Sequence, residues 1–201
     1  MKKTLAILLA LLLGFSLLGL AGCSDSDGGG NSEAQRYFNQ GMDARDAGNL
    51  EAALAAFNEA VALDPAYAAA YFYRGRVNGK LENFMDELAD YDKAIECDPA
   101  FADAYFWRGS FYDDVREYDL ALADYGKAIE SGLGDDAATY VMRALTYKSM
   151  ELYDEAIADY SKAIELDPSY ASAYKGRANV YLLLGEDDLA AADYDRAAEL
   201  G

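Results

Sequence analysis

Apolar residues recur along this chain in short helical stretches that come in pairs. Tyr105, Gly109 and Tyr112 fall on one helical face at spacings of four and three. After a polar turn at Arg116-Glu117, Tyr118, Ala121, Tyr125 and Ala128 form a second such face. The pattern predicts two amphipathic helices of about 13 residues each, joined by a tight turn. Gly48-Asn49 and Gly185-Glu186 mark the same turn elsewhere. Asp64-Pro65, Asp98-Pro99 and Asp167-Pro168 close the second helix of a pair. Proline has no amide proton and disfavours a helical residue before it, so a helix must stop there.

The pairs are copies of one unit. Tyr71-Phe72-Tyr73-Arg74-Gly75 returns as Tyr105-Phe106-Trp107-Arg108-Gly109, and more loosely at Tyr140, Tyr174 and Tyr37. The opening tyrosines 37, 71, 105, 140 and 174 are 34, 34, 35 and 34 residues apart. A period of that size signals stacked copies of a small unit, not one core around a catalytic cleft.

The arrangement of an aromatic, a small residue and Tyr, then Ala, an aromatic, Ala and Pro, resembles the tetratricopeptide repeat. In the second copy the positions are Tyr71, Gly75, Glu87, Tyr91, Ala94 and Pro99. In the fourth they are Tyr140, Ala144, Tyr147, Ala156, Tyr160, Ala163 and Pro168. The resemblance implies an all-α fold, a right-handed α-solenoid of five helix-turn-helix repeats over 34–67, 68–101, 102–136, 137–170 and 171–201. The third copy departs from the pattern. It has Ser131-Gly132-Leu133-Gly134-Asp135-Asp136 in place of the proline and is one residue longer, which predicts a local shift in stacking. The fifth copy runs to Gly201 without a polar capping helix, although terminal repeats ordinarily need a polar outer face. That end is therefore a candidate surface for a partner or a second copy, with a tolerated exposed edge as the alternative.

The first 22 residues read as a secretory signal: Lys2 and Lys3, an apolar stretch from Leu5 to Leu20, then small residues. Leu20-Ala21-Gly22-Cys23 resembles a bacterial lipobox, which implies lipidation of Cys23 and a membrane-held N-terminus. Ser24 resembles the outer-membrane sorting form, facing the periplasm in a Gram-negative envelope. Residues 23–33 then form a polar, glycine-rich tether. Cys97, where other copies have Leu63 and Leu166, is expected to fill the core.

Charge narrows the partner. The chain has 17 basic and 36 acidic residues, no His, and a net charge of −19. Without Lys2 and Lys3 the balance becomes 15 against 36, a net of −21. Such a surface repels phosphate backbones and does not suit nucleic acid. A basic or apolar protein segment fits better. No His, and no Ser or Cys nucleophile with a nearby base, is placed for catalysis. No cofactor or metal ligand set is predicted. The acid pairs Asp113-Asp114, Asp135-Asp136 and Asp187-Asp188 suit exposed helix starts and loops, with cation binding as the alternative.

One substitution recurs inside the repeat. Arg74, Arg108, Arg143 and Arg177 stand where the family has Leu, and the same four copies carry Asp90, Asp124, Asp159 and Asp193 in the second helix. The first copy has neither, with Gln40 and Ala56 instead. Residues that appear and vanish together are expected to pair, as charge-assisted salt bridges within each hairpin. An Arg ladder for an anionic peptide is the competing reading.

The resemblance also implies that the first helices line a groove. The carried-over positions are Phe38, Phe72, Phe106, Val141 and Lys175, then Asn39, Tyr73, Trp107, Met142 and Gly176, and one turn on Met42, Arg76, Ser110, Leu145 and Asn179. The apolar members and Arg76 are the candidate partner-binding residues; the alternative is that the aromatics fill space between helices. Phe38, Met42 and Tyr73 replace the Lys and Asn of the family's carboxylate clamp, so an acidic chaperone tail is not the expected ligand. The implied function is a lipid-anchored, non-catalytic adaptor of the bacterial envelope. A self-assembling scaffold, or an assembly factor of the pilotin kind, is the alternative.

Overall fold

A computed structural model describes residues 32–201, so the signal, lipobox and most of the tether, with Cys23, lie outside the described residues. Among the described residues the fold is all-α, with ten α-helices and no strand. They are α1 (Ser32–Asp46), α2 (Leu50–Leu63), α3 (Ala68–Lys80), α4 (Phe84–Cys97) and α5 (Ala102–Asp114). Then come α6 (Tyr118–Ala128), α7 (Ala137–Ser149), α8 (Tyr153–Leu166), α9 (Ala171–Leu184) and α10 (Asp187–Leu200). They form consecutive hairpins, each a first and a second helix. The chain divides into two compact units, with the boundary between Ala104 and Tyr105.

Every hairpin turns through a residue of positive φ. Gly48 (77°) and Gly185 (76°) supply it without cost, whereas Glu82 (62°), Arg116 (67°) and Glu151 (62°) carry a side chain there. The turn geometry is thus common to all five, but the glycine signal is present in only two. Asp64, Asp98 and Asp167 end their helices in extended conformation. Their carboxylates accept from the amides of Ala66, Ala100 and Ser169 at 3.0, 3.0 and 2.9 Å, turning the chain into the next hairpin.

The third copy departs locally. Its second helix does not stop at 128; it continues as a π-helical turn, Ile129–Leu133, which absorbs the extra residue. Gly132 (φ 142°) breaks the regular backbone inside that turn. Asp136 then caps α7, accepting from the Thr139 amide at 2.8 Å and its hydroxyl at 2.6 Å.

Small residues at fixed places let the helices approach. In the first unit Ala53, Phe57 and Val77 form one buried cluster, and Ala60, Val61 and Ala70 another. In the second unit Val141, Ala144, Ala156, Tyr160, Ala163, Ala173 and Val180 are buried together. A Cβ on Gly75 would come within 3.0 Å of the Tyr91 ring, and one on Gly109 within 3.2 Å of Tyr125. The small residue of the first helix is therefore a seat for the aromatic of the second. Cys97 is half-buried, as Leu63 and Leu166 are, with Sγ 3.6 Å from the Pro65 carbonyl oxygen. The expectation of a core position overstated its burial, because all three residues lie in the last turn of a helix.

Candidate peptide-binding face

Four arginines of the first helices meet four aspartates of the second. Arg74 donates to Asp90 from Nε and Nη2, the latter at 2.6 Å. Arg108 donates twice to Asp124 at 2.7 Å, Arg143 to Asp159 at 2.7 and 2.8 Å, and Arg177 to Asp193 at 2.7 and 2.8 Å. Each bond pair is a planar fork, the geometry that guanidinium alone offers a carboxylate. The Asp side chains are 4–10% exposed and the Arg side chains about a fifth. Tyrosines flank each cation: Arg143 lies 5.5 Å from the Tyr140 ring and 6.0 Å from Tyr147, and Arg177 lies 5.9 Å from Tyr174 and Tyr181. In the second copy Asn78 replaces the later tyrosine and donates to Asp90 at 3.0 Å. Burial pushes the Asp90 carboxyl up, against the pull of Arg74 and Asn78. A third contact ties two of these arginines to the preceding hairpin: Arg74 to Asn58 and Arg177 to Ser161, both at 2.9 Å.

The positions carried over as a groove do not share one environment. In the first unit Phe38, Met42 and Tyr73 are half-buried against the Ala53–Phe57–Val77 cluster. Phe38 packs on Tyr67, Tyr73 and Phe57 at 5.0, 5.7 and 5.8 Å between ring centres. Arg76 is half-exposed beside Tyr73. Phe72, by contrast, is only 4% exposed, and Val141 in the second unit only 7%. These two belong to the core, not to an open face. The residue after the opening tyrosine points into the seam with the next hairpin and meets the aromatic that leads it: Phe38 on Tyr67, Phe72 on Phe101, Val141 beside Tyr170.

In the third copy that leading aromatic is replaced by Asp135-Asp136. Phe106 is half-buried, as Phe38 is, edge-on to Trp107 at 5.5 Å and 5.7 Å from Tyr125. Trp107, Met142 and Leu145 are likewise half-buried in this unit, Leu145 against the Tyr160 cluster. Phe106 and Trp107 thus form an edge-on pair of half-buried aromatics.

Two of the acid pairs have structural partners. Asp113 accepts the Thr146 hydroxyl at 2.7 Å, and Asp136 is the α7 cap. Asp187 and Asp188 occupy the first turn of α10. Among the described residues no group of three or more potential metal ligands is gathered, and no helix is long and apolar enough to cross a membrane. The end of the fifth copy, expected as a candidate surface for a partner or a second copy, carries exposed leucines. Leu182, Leu183, Leu184 and Leu189 are 43–59% exposed around the last turn.

Family models of tetratricopeptide repeats match residues 43–81, 144–185 and 90–123. The chain is an all-α protein built of tetratricopeptide repeats. Among solved structures it is similar to the MamA protein, with 25% identity over 84% of this chain and 92% of that one and a TM-score of 0.76. It also resembles residues 41 to the end of MamA from Desulfovibrio magneticus, at 20% identity, 85% and 96% coverage and a TM-score of 0.78. YrrB, described as a repeat protein with an unusual peptide-binding site, aligns at 24% identity, 85% and 88% coverage and a TM-score of 0.72. No curated protein matches the chain.

Proposed function

We propose that this chain is a non-catalytic adaptor, held to the bacterial envelope through lipidated Cys23, that binds a protein segment on the face of its first helices. The observation that carries the reading is the half-buried, edge-on Phe106–Trp107 pair on a first helix. Partly buried aromatics on a rigid helical support are typical anchors, each giving about 1.5–3 kcal/mol when covered. YrrB, a protein of the same fold, is described as binding peptide, which supports the class of ligand. The high negative charge supports a basic or apolar segment over an acidic one. Lipidation and an outer-membrane position facing the periplasm rest on Leu20-Ala21-Gly22-Cys23 and Ser24 alone.

Affinity capture from envelope extracts with the intact protein and with Trp107→Ala tests the binding face. Loss of partners with Trp107→Ala is expected, and an unchanged partner set removes the assignment. For the anchor, Cys23→Ser is expected to leave the membrane fraction, and its retention there refutes lipid attachment.

A further inference from the structure

One position separates the second copy from the other three hairpins that carry an Arg–Asp fork. In those three a tyrosine follows one turn after the arginine. Tyr112, Tyr147 and Tyr181 each set a ring 5.9–6.0 Å from the guanidinium. The opening tyrosine of the same helix lies on that cation at 5.5–5.9 Å. In the second copy the opening Tyr71 is kept, 5.2 Å from Arg74, but the later place holds Asn78, which has no ring. A cavity of about 310 Å3 lies at this place, within the first unit. Leu54 of α2 and Ala89 of α4 line it together with Arg74, Asn78 and Asp90.

The lining says what would fill it. Its buried end is Asn78 and Asp90, 4% and 3% exposed, and Asn58, Asn83 and Asp86 stand at the exposed rim. The polar groups are already ordered. Asn78 donates to Asp90 at 3.0 Å, Asn83 to Asn78 at 3.2 Å, and Arg74 to Asn58 at 2.9 Å. The side-chain oxygens of Asn78 and Asn58 each keep a second lone pair for a donor from outside. Arg74 is one cation against Asp86 and Asp90, so an anion is not favoured here. A guanidinium attracts the face of an aromatic ring, whereas a wholly apolar group would leave the amides without a partner. Ligand pockets occupy roughly 300–1,000 Å3, and this one lies at the small end, which suits a single ring. A ring that carries one hydroxyl meets all these conditions.

We infer that this cavity is a docking site for one tyrosine side chain of a partner protein. Its phenol ring lies against Arg74 and Leu54, in the place that Tyr112, Tyr147 and Tyr181 fill in their own hairpins, and its hydroxyl donates to the amide oxygens. The site uses no residue of the Phe106–Trp107 face and does not rest on that reading.

The test is an NMR titration of the full chain in detergent micelles, observing the side-chain amides of Asn78 and Asn83 and the Arg74 Nε–Hε signal. N-acetyl-tyrosinamide is expected to shift all three saturably at millimolar concentration. N-acetyl-phenylalaninamide, without the hydroxyl, should bind roughly two- to tenfold more weakly, as loss of one hydrogen bond predicts. N-acetyl-leucinamide should leave the signals in place. Two variants close the cavity in different ways. Asn78→Tyr installs the residue that the other three forked hairpins carry, and Ala89→Leu fills the space from an exposed position of α4. Both are expected to abolish the shifts at Asn83 and Arg74 while helical circular dichroism is kept. No saturable shift with the tyrosine probe, equal binding of the phenylalanine or leucine probe, or unchanged binding by a folded Ala89→Leu protein each overturn the inference. Free tyrosine binding more tightly than the blocked amide would make this a site for the amino acid itself and overturn the protein-borne assignment.

Discussion

Each repeated residue has a separable physical task. The Arg–Asp forks bury a carboxylate almost completely and leave the cation about a fifth exposed. Removing one partner strands the other's charge, so Arg143→Ala and Asp159→Ala are each expected to destabilise by about 3 kcal/mol. The double mutant should cost clearly less than their sum, with about 1–3 kcal/mol of coupling in urea melts; additive losses would mean the fork carries no energy of its own. The second-helix tyrosines carry a pH signature. Burial pushes the Tyr160 hydroxyl up to about 12, and Tyr91 and Tyr125 are raised in the same direction, chiefly by burial. A tyrosine free in the unfolded chain titrates near pH 10. The folded state thus holds the proton more tightly, and the stability from Tyr160 is complete below about pH 10 and lost as pH rises through about 12. Tyrosinate absorbance from these three should appear together with loss of helical circular dichroism. Independent titration of all 17 tyrosines in a still-folded protein would contradict it.

At the scale of the element, the turn inside each hairpin decides more than the helices do. Five turns share one left-handed residue, yet Glu82, Arg116 and Glu151 adopt it at a cost that Gly48 and Gly185 do not incur. Replacing any of the three with Gly is expected to raise stability by up to about 1 kcal/mol, read as a higher urea midpoint at constant slope. The reverse holds at Gly132, whose φ of 142° lies where a side chain is strained. Gly132→Ala should destabilise by about 1–3 kcal/mol. An unaffected melt for Gly132→Ala would show that this turn is not held in that conformation in solution.

For the molecule as a whole, the balance is between a charged, soluble surface and the apolar residues it leaves uncovered. A net charge of −19 disfavours close approach of like chains. Against it stand four leucines of the last hairpin, with Leu183 59% exposed. If the scaffold reading is correct, sedimentation should show concentration-dependent association that Leu183→Glu abolishes. A strict monomer at every concentration leaves the adaptor reading alone. A buried Arg–Asp fork recurs in four of five hairpins, so in the adaptor proposed above these arginines serve the hairpins, and specificity is expected from the positions between Tyr and Arg, as at Phe106 and Trp107.

Much of this architecture was legible in the residues because it is local. Period, helix pairing and the proline stops follow from spacing and backbone chemistry, which one copy repeats to the next. The co-occurrence of Arg with Asp pointed to contact for the same reason: two side chains 16 residues apart face each other across every such hairpin. Burial within the seam was not legible. Phe72 and Phe106 occupy equivalent places in near-identical phrases, yet Phe72 is buried and Phe106 only half-buried. The sequence by itself determined the all-α repeat, its turns and its charge. Only the tertiary structure decided which aromatics are buried and which half-buried, and that Leu54, Arg74, Asn78 and Ala89 share one cavity, because exposure depends on the neighbouring hairpin and not on the residue's own.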